Sequence, residues 1–452
     1  MLSSIVLGLR VLGARIRFDR SCRWSRAQLD AHQARRLEEL RSFAYERSPF
    51  YRRFHRGLEN RPLNELPILT KAELMENFDE LVTDRAIRLA DIDQWMRNAP
   101  GGRLFHGKYV VLSTSGSTGR RGIFLFDNRE WISVLANISR PMRWAGAVKP
   151  GKPPRTATIA SRTPWHYSAR ISTAISPRLW PMLLLDAGEP IPNLVRSLNE
   201  WQPDILAAYP SVLRQLVDEQ MSGRLQIHPA AIATAAEVLT DETRERAREA
   251  WGVRVCDTYG ATEYSPIAAE CAHGKKHLLE DGAIIELVDE RGRPVAPGER
   301  SDRVLLTVFG RRTQPLIRYE LSDVLRAETG DCECGRKFRL IGSIEGRIED
   351  VLAFPRRGAA AETVRLHPNL FHEILENLPA SGWQVIQEGG NITVNLTGLK
   401  DAAICEPLAG RIAAMFVAQD ADVKSVIVRR VDTMERGATG KAPLIMARAA
   451  GR

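Results

Sequence analysis

The segment YVVLSTSGSTGRRGIFLF, residues 109–126, sets two apolar, β-branched-rich runs around a tract of serine, threonine and glycine. Tyr109, Val110, Val111 and Leu112 precede the tract and Ile123 to Phe126 follow it. The pattern predicts two strands joined by a hydroxyl-rich loop at the tip of a hairpin. Gly116, Gly119 and Gly122 can take backbone angles that other residues avoid. Several N–H groups can then point at one anion, with Ser115, Ser117 and Thr118 adding hydroxyls and Arg120 or Arg121 adding charge. Such a loop suits a polyphosphate. The GxxxxGK[ST] spacing of P-loop nucleotidases is absent, and a strand rather than a helix follows.

A chain of 452 residues has room for two or three domains. Its 44% hydrophobic and 26% charged residues are those of a globular protein with an ample core. The net charge of +9 is uneven: residues 1–56 hold thirteen arginines against five acidic residues, a net +8. The remainder is near neutral, which argues against a general nucleic-acid surface. The opening MLSSIVLGLRVLGARIRF is interrupted by Arg10, Arg15 and Arg17, too short and too charged to span a bilayer. It also lacks the basic leader of a secretory signal. An amphipathic helix packed on the body is expected there, with contact to an anionic membrane surface as the alternative. The absence of an export signal places the six cysteines in a reducing compartment, the cytoplasm, where clustered thiols suggest metal before disulfide.

Along the chain, residues 25–57 read as helical, with Leu29, Leu37, Leu40 and Phe43 at helix-like spacing. Thr70 and Glu73 stand at capping-box spacing. One helix is expected over 128–145, with Trp131, Leu135, Ile138 and Met142 on one face. Residues 153–190 read as strand, turn and helix, and 201–220 as a strand, a Tyr-Pro-Ser turn and a helix. A buried strand over 230–240 ends at Glu237 before a charged helix, and 253–271 reads as a strand opening into a glycine-containing loop. This alternation predicts an α/β body with a largely parallel sheet. Short strands with tight turns follow over 280–345 as a β subdomain, and a smaller α+β unit follows residue 350.

Several of these segments fall in a recognisable order: YERSPFYRRF then LPILTKAEL, STSGSTGRRG, AAEVLT, TYGATEYSP, PLIRYELSD, GSIEGRIED and GATGKAPL. The chain resembles the adenylate-forming superfamily, most closely its phenylacetate–CoA ligase and coenzyme F390 synthetase-like branch. The resemblance is closest over residues 40–350. It implies a large adenylation domain, 1–347, with a basic helical layer at 1–60, and a small mobile α+β lid, 348–452. It also implies ATP-dependent activation of a carboxylic acid to an acyl-adenylate, release of pyrophosphate, and transfer to the thiol of CoA or to an amine. The expected partners are a small-molecule carboxylic acid, CoA or an amine acceptor, and a second copy of the chain.

Residue by residue, the resemblance assigns the ATP phosphates to Ser115, Gly116, Ser117, Thr118 and Gly119, with Arg120 beside them. It assigns the adenine to Ala235, Ala236 and Glu237, and the flanks of the nucleotide to Tyr259 and Gly260. Thr262 would touch phosphate and Glu263 would ligate Mg²⁺, for which an anionic oxygen near the phosphates is apt. Asp323 would accept from the ribose hydroxyls, Arg347 would add a ribose or phosphate contact, and Glu349 would be the hinge. Lys441, between glycines in GATGKAPL, would swing in to stabilise charge during adenylate formation. Trp165, His166, Tyr167 and Tyr209 fall where this fold places its acid pocket, and they suit an aryl or arylacetic acid.

Cys271 and His277 in ECAHGKKHLLED, with Cys332 and Cys334 in DCECGRKF, form a set suited to tetrahedral zinc, His273 being the alternative histidine. Some members of the resembled branch carry zinc at corresponding positions. The chain departs from the family's pattern at Arg120 for lysine, at Glu320 in RYELSD, at Glu349 for aspartate, and in the stretch after it. Two readings from other classes remain: a P-loop-like kinase, which the motif spacing disfavours, and a non-catalytic nucleotide-binding scaffold, which Glu263 and Lys441 disfavour.

Overall fold

The computed structural model describes residues 4–98, 102–114, 121–145, 153–174, 180–347, 352–366, 369–375, 378, 380, 382–399, 401–436 and 442–448. The chain is mixed α/β and divides into two compact units. The first comprises Met1–Thr158, Arg162–Leu184 and Cys256–Ile344; the second comprises Ile159–Ser161, Leu185–Val255 and Glu345–Arg452.

In the first unit, helix α1 (Ser4–Ser21) leads into α2 (Arg26–Arg47), whose start is fixed by a capping box between Ser25 and Gln28. The Thr70–Glu73 capping box expected from the sequence is formed at the head of the helix Lys71–Glu76. The hairpin is also present. Strands β1 (Val110–Ser113) and β2 (Ile123–Phe126) pair antiparallel from Val110↔Phe126 to Ser113↔Ile123, and every residue of both is buried. These strands join the core that contains Leu40, Phe78, Leu306 and Tyr319.

The single helix expected over 128–145 is instead two, Asn128–Ile138 and Arg140–Trp144. Pro141 has no N–H for the bond to Asn137 that a continuous helix requires, so the chain turns at Ser139. A second correction concerns strand direction. Val255–Tyr259, Ala268–Glu270, Lys276–Leu278 and Leu340–Arg347 are successive neighbours, and each pair is antiparallel. The parallel pairing that strand–helix alternation predicts is found in the second unit, between Ile205–Ala208 and Ala231–Ala235. A three-stranded antiparallel sheet of Ala283–Val288, Arg303–Val308 and Tyr319–Leu321 forms the β region.

The second unit also contains the C-terminal α+β part. Its four strands run in the order Ser425–Arg430, Asn391–Thr397, Gly382–Glu388, Ile445–Arg448. The helix Cys405–Ala418 buries Leu408, Ile412 and Phe416 in a core with Val385 and Val394. The 4, 4 and 8 spacing is that of one helical face.

Candidate active site and metal centre

The hairpin stem is closed at its loop end. Thr114 N–H donates to Gly122 O at 3.0 Å and Gly122 N–H donates to Thr114 Oγ1 at 2.8 Å, closing the stem below the glycine tract. A Cβ on Gly122 would stand 2.9 Å from the Phe124 ring, so this position requires glycine. On β2, Leu125 N–H donates to Gln314 Oε1 and Gln314 Nε2 donates to Ile123 O, each at 3.1 Å. The tip residues Ser115, Gly116, Ser117, Thr118, Gly119 and Arg120 lie outside the described residues.

The strand Val255–Tyr259 ends in the loop Gly260–Pro266, which folds back so that Ile267 N–H donates to Tyr259 O at 2.8 Å. A Cβ on Gly260 would come within 2.9 Å of Ser265 Cβ, so glycine is required for this close approach. Tyr259 donates its phenolic hydroxyl to Asp323 Oδ2 at 2.9 Å, and both side chains are buried. Four residues on, buried Glu263 accepts from the Tyr319 hydroxyl at 2.9 Å. Thr262 is half-buried between them. Buried Arg311 is depressed below the usual arginine value by desolvation, against the pull of Glu130 and Glu263. It donates to Leu125 O at 2.8 Å, and its guanidinium lies 3.8 Å from the Phe126 ring centroid. The first unit thus brings together Tyr259, Gly260, Glu263 and Asp323.

In the second unit, Ala235 and Ala236 are exposed at the end of their strand, and Ala236 holds φ 73°, a left-handed conformation rare for alanine. Glu237 follows, half-buried, and its carboxylate accepts from Ser211 N at 2.9 Å and from Ala442 N at 3.1 Å. Buried Tyr209 accepts from Ser161 N–H at 3.1 Å. Lys441 and Glu349 lie outside the described residues, and Arg347 is described in its backbone alone, at the end of Leu340–Arg347.

The remaining proposed pocket residues lie in the first unit. Trp165 is buried against Trp95, with ring centroids 5.0 Å apart, and its carbonyl accepts from Ser113 N–H at 2.9 Å. His166 precedes the short helix Tyr167–Ser172. Tyr167 donates to Ser265 O at 2.9 Å, linking that helix to the Gly260–Pro266 loop. Sequence reasoning passed over Arg170, one turn further along the same helix. It is 6% exposed, its Nε has no hydrogen-bond partner, and no carboxylate faces it among the described residues. No spacing rule marks a lone arginine in YSARIS; only burial singles it out.

Sulfur and imidazole converge in the first unit. Cys271 Sγ, His277, Cys332 Sγ and Cys334 Sγ offer ligand atoms all within 4.8 Å of one another. Cys271 Sγ lies 3.6 Å from Cys332 Sγ, and Cys334 Sγ lies 3.2 Å from His277 Nε2. A tetrahedron with metal–sulfur bonds of about 2.3 Å has edges near ~3.7 Å, so the four atoms fit one small cation. The 3.6 Å sulfur separation is far beyond a disulfide bond. Burial pushes the Cys332 thiol up to about 12, and burial and Arg336 hold His277 down at about 4. Burial opposes ionisation of Cys334 as well, but the backbone and guanidinium of Arg336 hold that thiol below its usual value. His273 is outside the set; its Nδ1 is 3.3 Å from Glu333 Oε2 at the surface.

A family model described as AMP-binding enzyme matches residues 108–301, the stretch that holds the hairpin, Glu237 and the Gly260–Pro266 loop. A phenylacetate–coenzyme A ligase of Thermus thermophilus is 24% identical over 376 residues, covering 78% of this chain and 76% of its own. A phenylacetate–coenzyme A ligase of Pseudomonas putida is 25% identical over 352 residues, covering 72% and 73%. Among solved structures, a 2-hydroxyisobutyryl-CoA ligase in its postadenylation state shares the fold with a TM-score of 0.71, over 95% of this chain and 91% of that chain at 19% identity. The chain is thus similar to AMP-binding enzymes over residues 108–301 and to phenylacetate–coenzyme A ligases over most of its length, and it shares the fold of an acyl-CoA ligase.

Proposed function

We propose that the protein is an AMP-forming acid–thiol ligase that activates a carboxylic acid with ATP and passes the acyl group to CoA. The observation that carries this reading is the buried Tyr259–Asp323 pair beside the loop bearing Glu263. Tyr259 holds a carboxylate that can accept from a ribose diol, and four residues on Glu263 offers a second for a hard cation. The substrate carboxylate attacks the α-phosphorus of ATP, the bond to the bridging oxygen breaks, and pyrophosphate leaves. The CoA sulfur then attacks the acyl carbon and AMP departs. The protein's contribution is alignment and charge stabilisation. Ser115 to Gly119 and Arg120 hold phosphate, Tyr259 and Gly260 flank the nucleotide, Glu237 with Ala235 and Ala236 serves the adenine, and Asp323 and Arg347 the ribose. Glu263 would hold Mg²⁺, which offsets phosphate charge when bound.

In the same reading residues 348–452 act as the lid that delivers Lys441, with Glu349 as its hinge. The acid is aryl or arylacetic, met by Trp165, His166, Tyr167 and Tyr209. The Cys271–His277–Cys332–Cys334 set holds one structural zinc ion, and the free thiols fit a cytoplasmic location. Among the described residues no helix is long and apolar enough to cross a membrane.

The test is product analysis with ATP, Mg²⁺ and a panel of carboxylic acids, with and without CoA. Acid-dependent AMP and pyrophosphate are expected, with turnover dependent on CoA. Turnover with an amine instead would redirect the second step. ADP as product, or no nucleotide turnover across a panel that includes aryl, aliphatic and dicarboxylic acids, would overturn the ligase.

A further inference from the structure

Helix α1 has three longitudinal sectors. Leu7, Val11, Ala14 and Phe18 face the body, packing with Ile132 and Ala136 of the helix Asn128–Ile138. The far end is clamped: Ser21 donates to Asp281, and buried Arg140 pairs with Asp281 at 2.9 Å while lying 4.9 Å from the Phe18 ring centroid. Leu9, Leu12 and Ile16 point the other way, 65%, 41% and 44% exposed. At 3.6 residues per turn they share a sector of about 60°. The adjoining sector carries Arg10, Arg17 and Arg20, all exposed, with Val6 among them. None of these three arginines forms an ion pair among the described residues. The one acid of the helix, Asp19, is engaged by Arg143 at 2.5 Å.

A helix that only packed on the body would carry polar residues outward. Here an apolar stripe of three large aliphatic side chains is displayed beside a row of unpaired cations. We propose that this face docks the protein on a membrane surface rich in anionic lipid. Leu9, Leu12 and Ile16 enter the boundary between headgroups and acyl chains, and Arg10, Arg17 and Arg20 pair with headgroup phosphates. Charge favours this occupant over a second copy of the chain, because an antiparallel two-fold contact through the stripe would set the two rows of arginines side by side, whereas anionic headgroups neutralise them. The packed inner face limits insertion to the stripe itself, so the protein lies on the surface and does not span it.

The test is flotation of the full chain with vesicles of phosphatidylcholine alone and of phosphatidylcholine mixed with phosphatidylglycerol. Binding to the mixed vesicles is expected, weak on neutral ones, and falling as salt is raised. Combined Arg10→Glu, Arg17→Glu and Arg20→Glu should weaken it by at least about a hundredfold, at roughly fivefold for each arginine. Combined Leu9→Ser, Leu12→Ser and Ile16→Ser should abolish it. Neither set touches the packed sector, so both should melt as wild type does; if either unfolds early, single Leu9→Asp at the most exposed position replaces it. Wild-type protein that ignores both vesicles, or variants that bind as wild type does, would overturn the proposal. So would a dimer in solution that the serine substitutions dissolve, because the stripe would then belong to a second copy.

Discussion

Arg170 carries a charge into surroundings that supply no counter-charge among the described residues, and its desolvation holds it below the usual arginine value. An unpaired buried cation is costly, and replacing buried charge by an apolar side chain of similar length is often stabilising. Arg170→Met should therefore raise stability by about 1 kcal/mol or more. The urea midpoint should rise with an unchanged m-value. If the proposed acid pocket uses the guanidinium for an anionic group of the substrate, the same variant should raise KM for such acids while sparing neutral-tailed ones. A variant less stable than wild type would show that Arg170 has a structural partner. Other residues were legible before the fold was known. The two cysteines of DCECGRKF and the one in ECAHGKKHLLED announce soft ligands by type, and the preference for His277 over His273 gains its physical reason from the strand that buries one and leaves the other beside Glu333. Glu320 looked anomalous as an anion in RYELSD; the neighbouring strand supplies Arg303 at 3.2 Å, a partner no local pattern reveals.

Among the elements, the antiparallel run from Ala268–Glu270 through Lys276–Leu278 to Leu340–Arg347 is short: two of its three strands have three residues each. Ladders of this length contribute little by themselves. The sulfur and imidazole set joins the turn after the first of these strands to His277 in the second and to the segment around Cys332, so a bound metal would clip them together. Removing it with a strong chelator, or making Cys332→Ser, should lower the midpoint of thermal unfolding by about 5–10 °C. Elemental analysis should find one zinc per wild-type chain. Because the buried Cys332 thiol is raised to about 12, metal binding must displace a proton, and affinity should fall as pH falls. Metal-free protein with the wild-type melting curve would exclude the clip. Local signals made other elements readable: the Thr70–Glu73 box, and the hairpin bounded by the glycine tract. Strand direction was not readable. A three-residue strand pairs with whatever the turn brings beside it, whereas the parallel pair Ile205–Ala208 and Ala231–Ala235 forms where the full-length helix Pro210–Met221 intervenes.

At the scale of the molecule, two contacts within the second unit join segments far apart in sequence. Glu237 accepts from Ala442 N–H across 205 residues, and Arg436 donates to Ala187 O at 2.6 Å across 249. Such pairs leave no periodic trace, so the association of residues 185–255 with the C-terminal part was not visible in the chain itself. The first of them bears directly on mechanism. Ala442 follows Lys441, and the bond to Glu237 ties the peptide beside that lysine to the carboxylate assigned to the adenine. A lysine in the role proposed for Lys441 would serve the step in which negative charge builds at the α-phosphate, and would have no task once the adenylate exists. Lys441→Ala should therefore lower acid-dependent exchange of pyrophosphate into ATP by about a hundredfold to a thousandfold, the loss typical of one preorganised donor. Conversion of a supplied acyl-adenylate to thioester should stay near the wild-type rate, and nucleotide affinity should change little. Equal losses in both half-reactions would place Lys441 in general binding, and unchanged exchange would remove it from the chemistry. The split between the two half-reactions is the informative quantity, since a merely destabilised variant would lose both together.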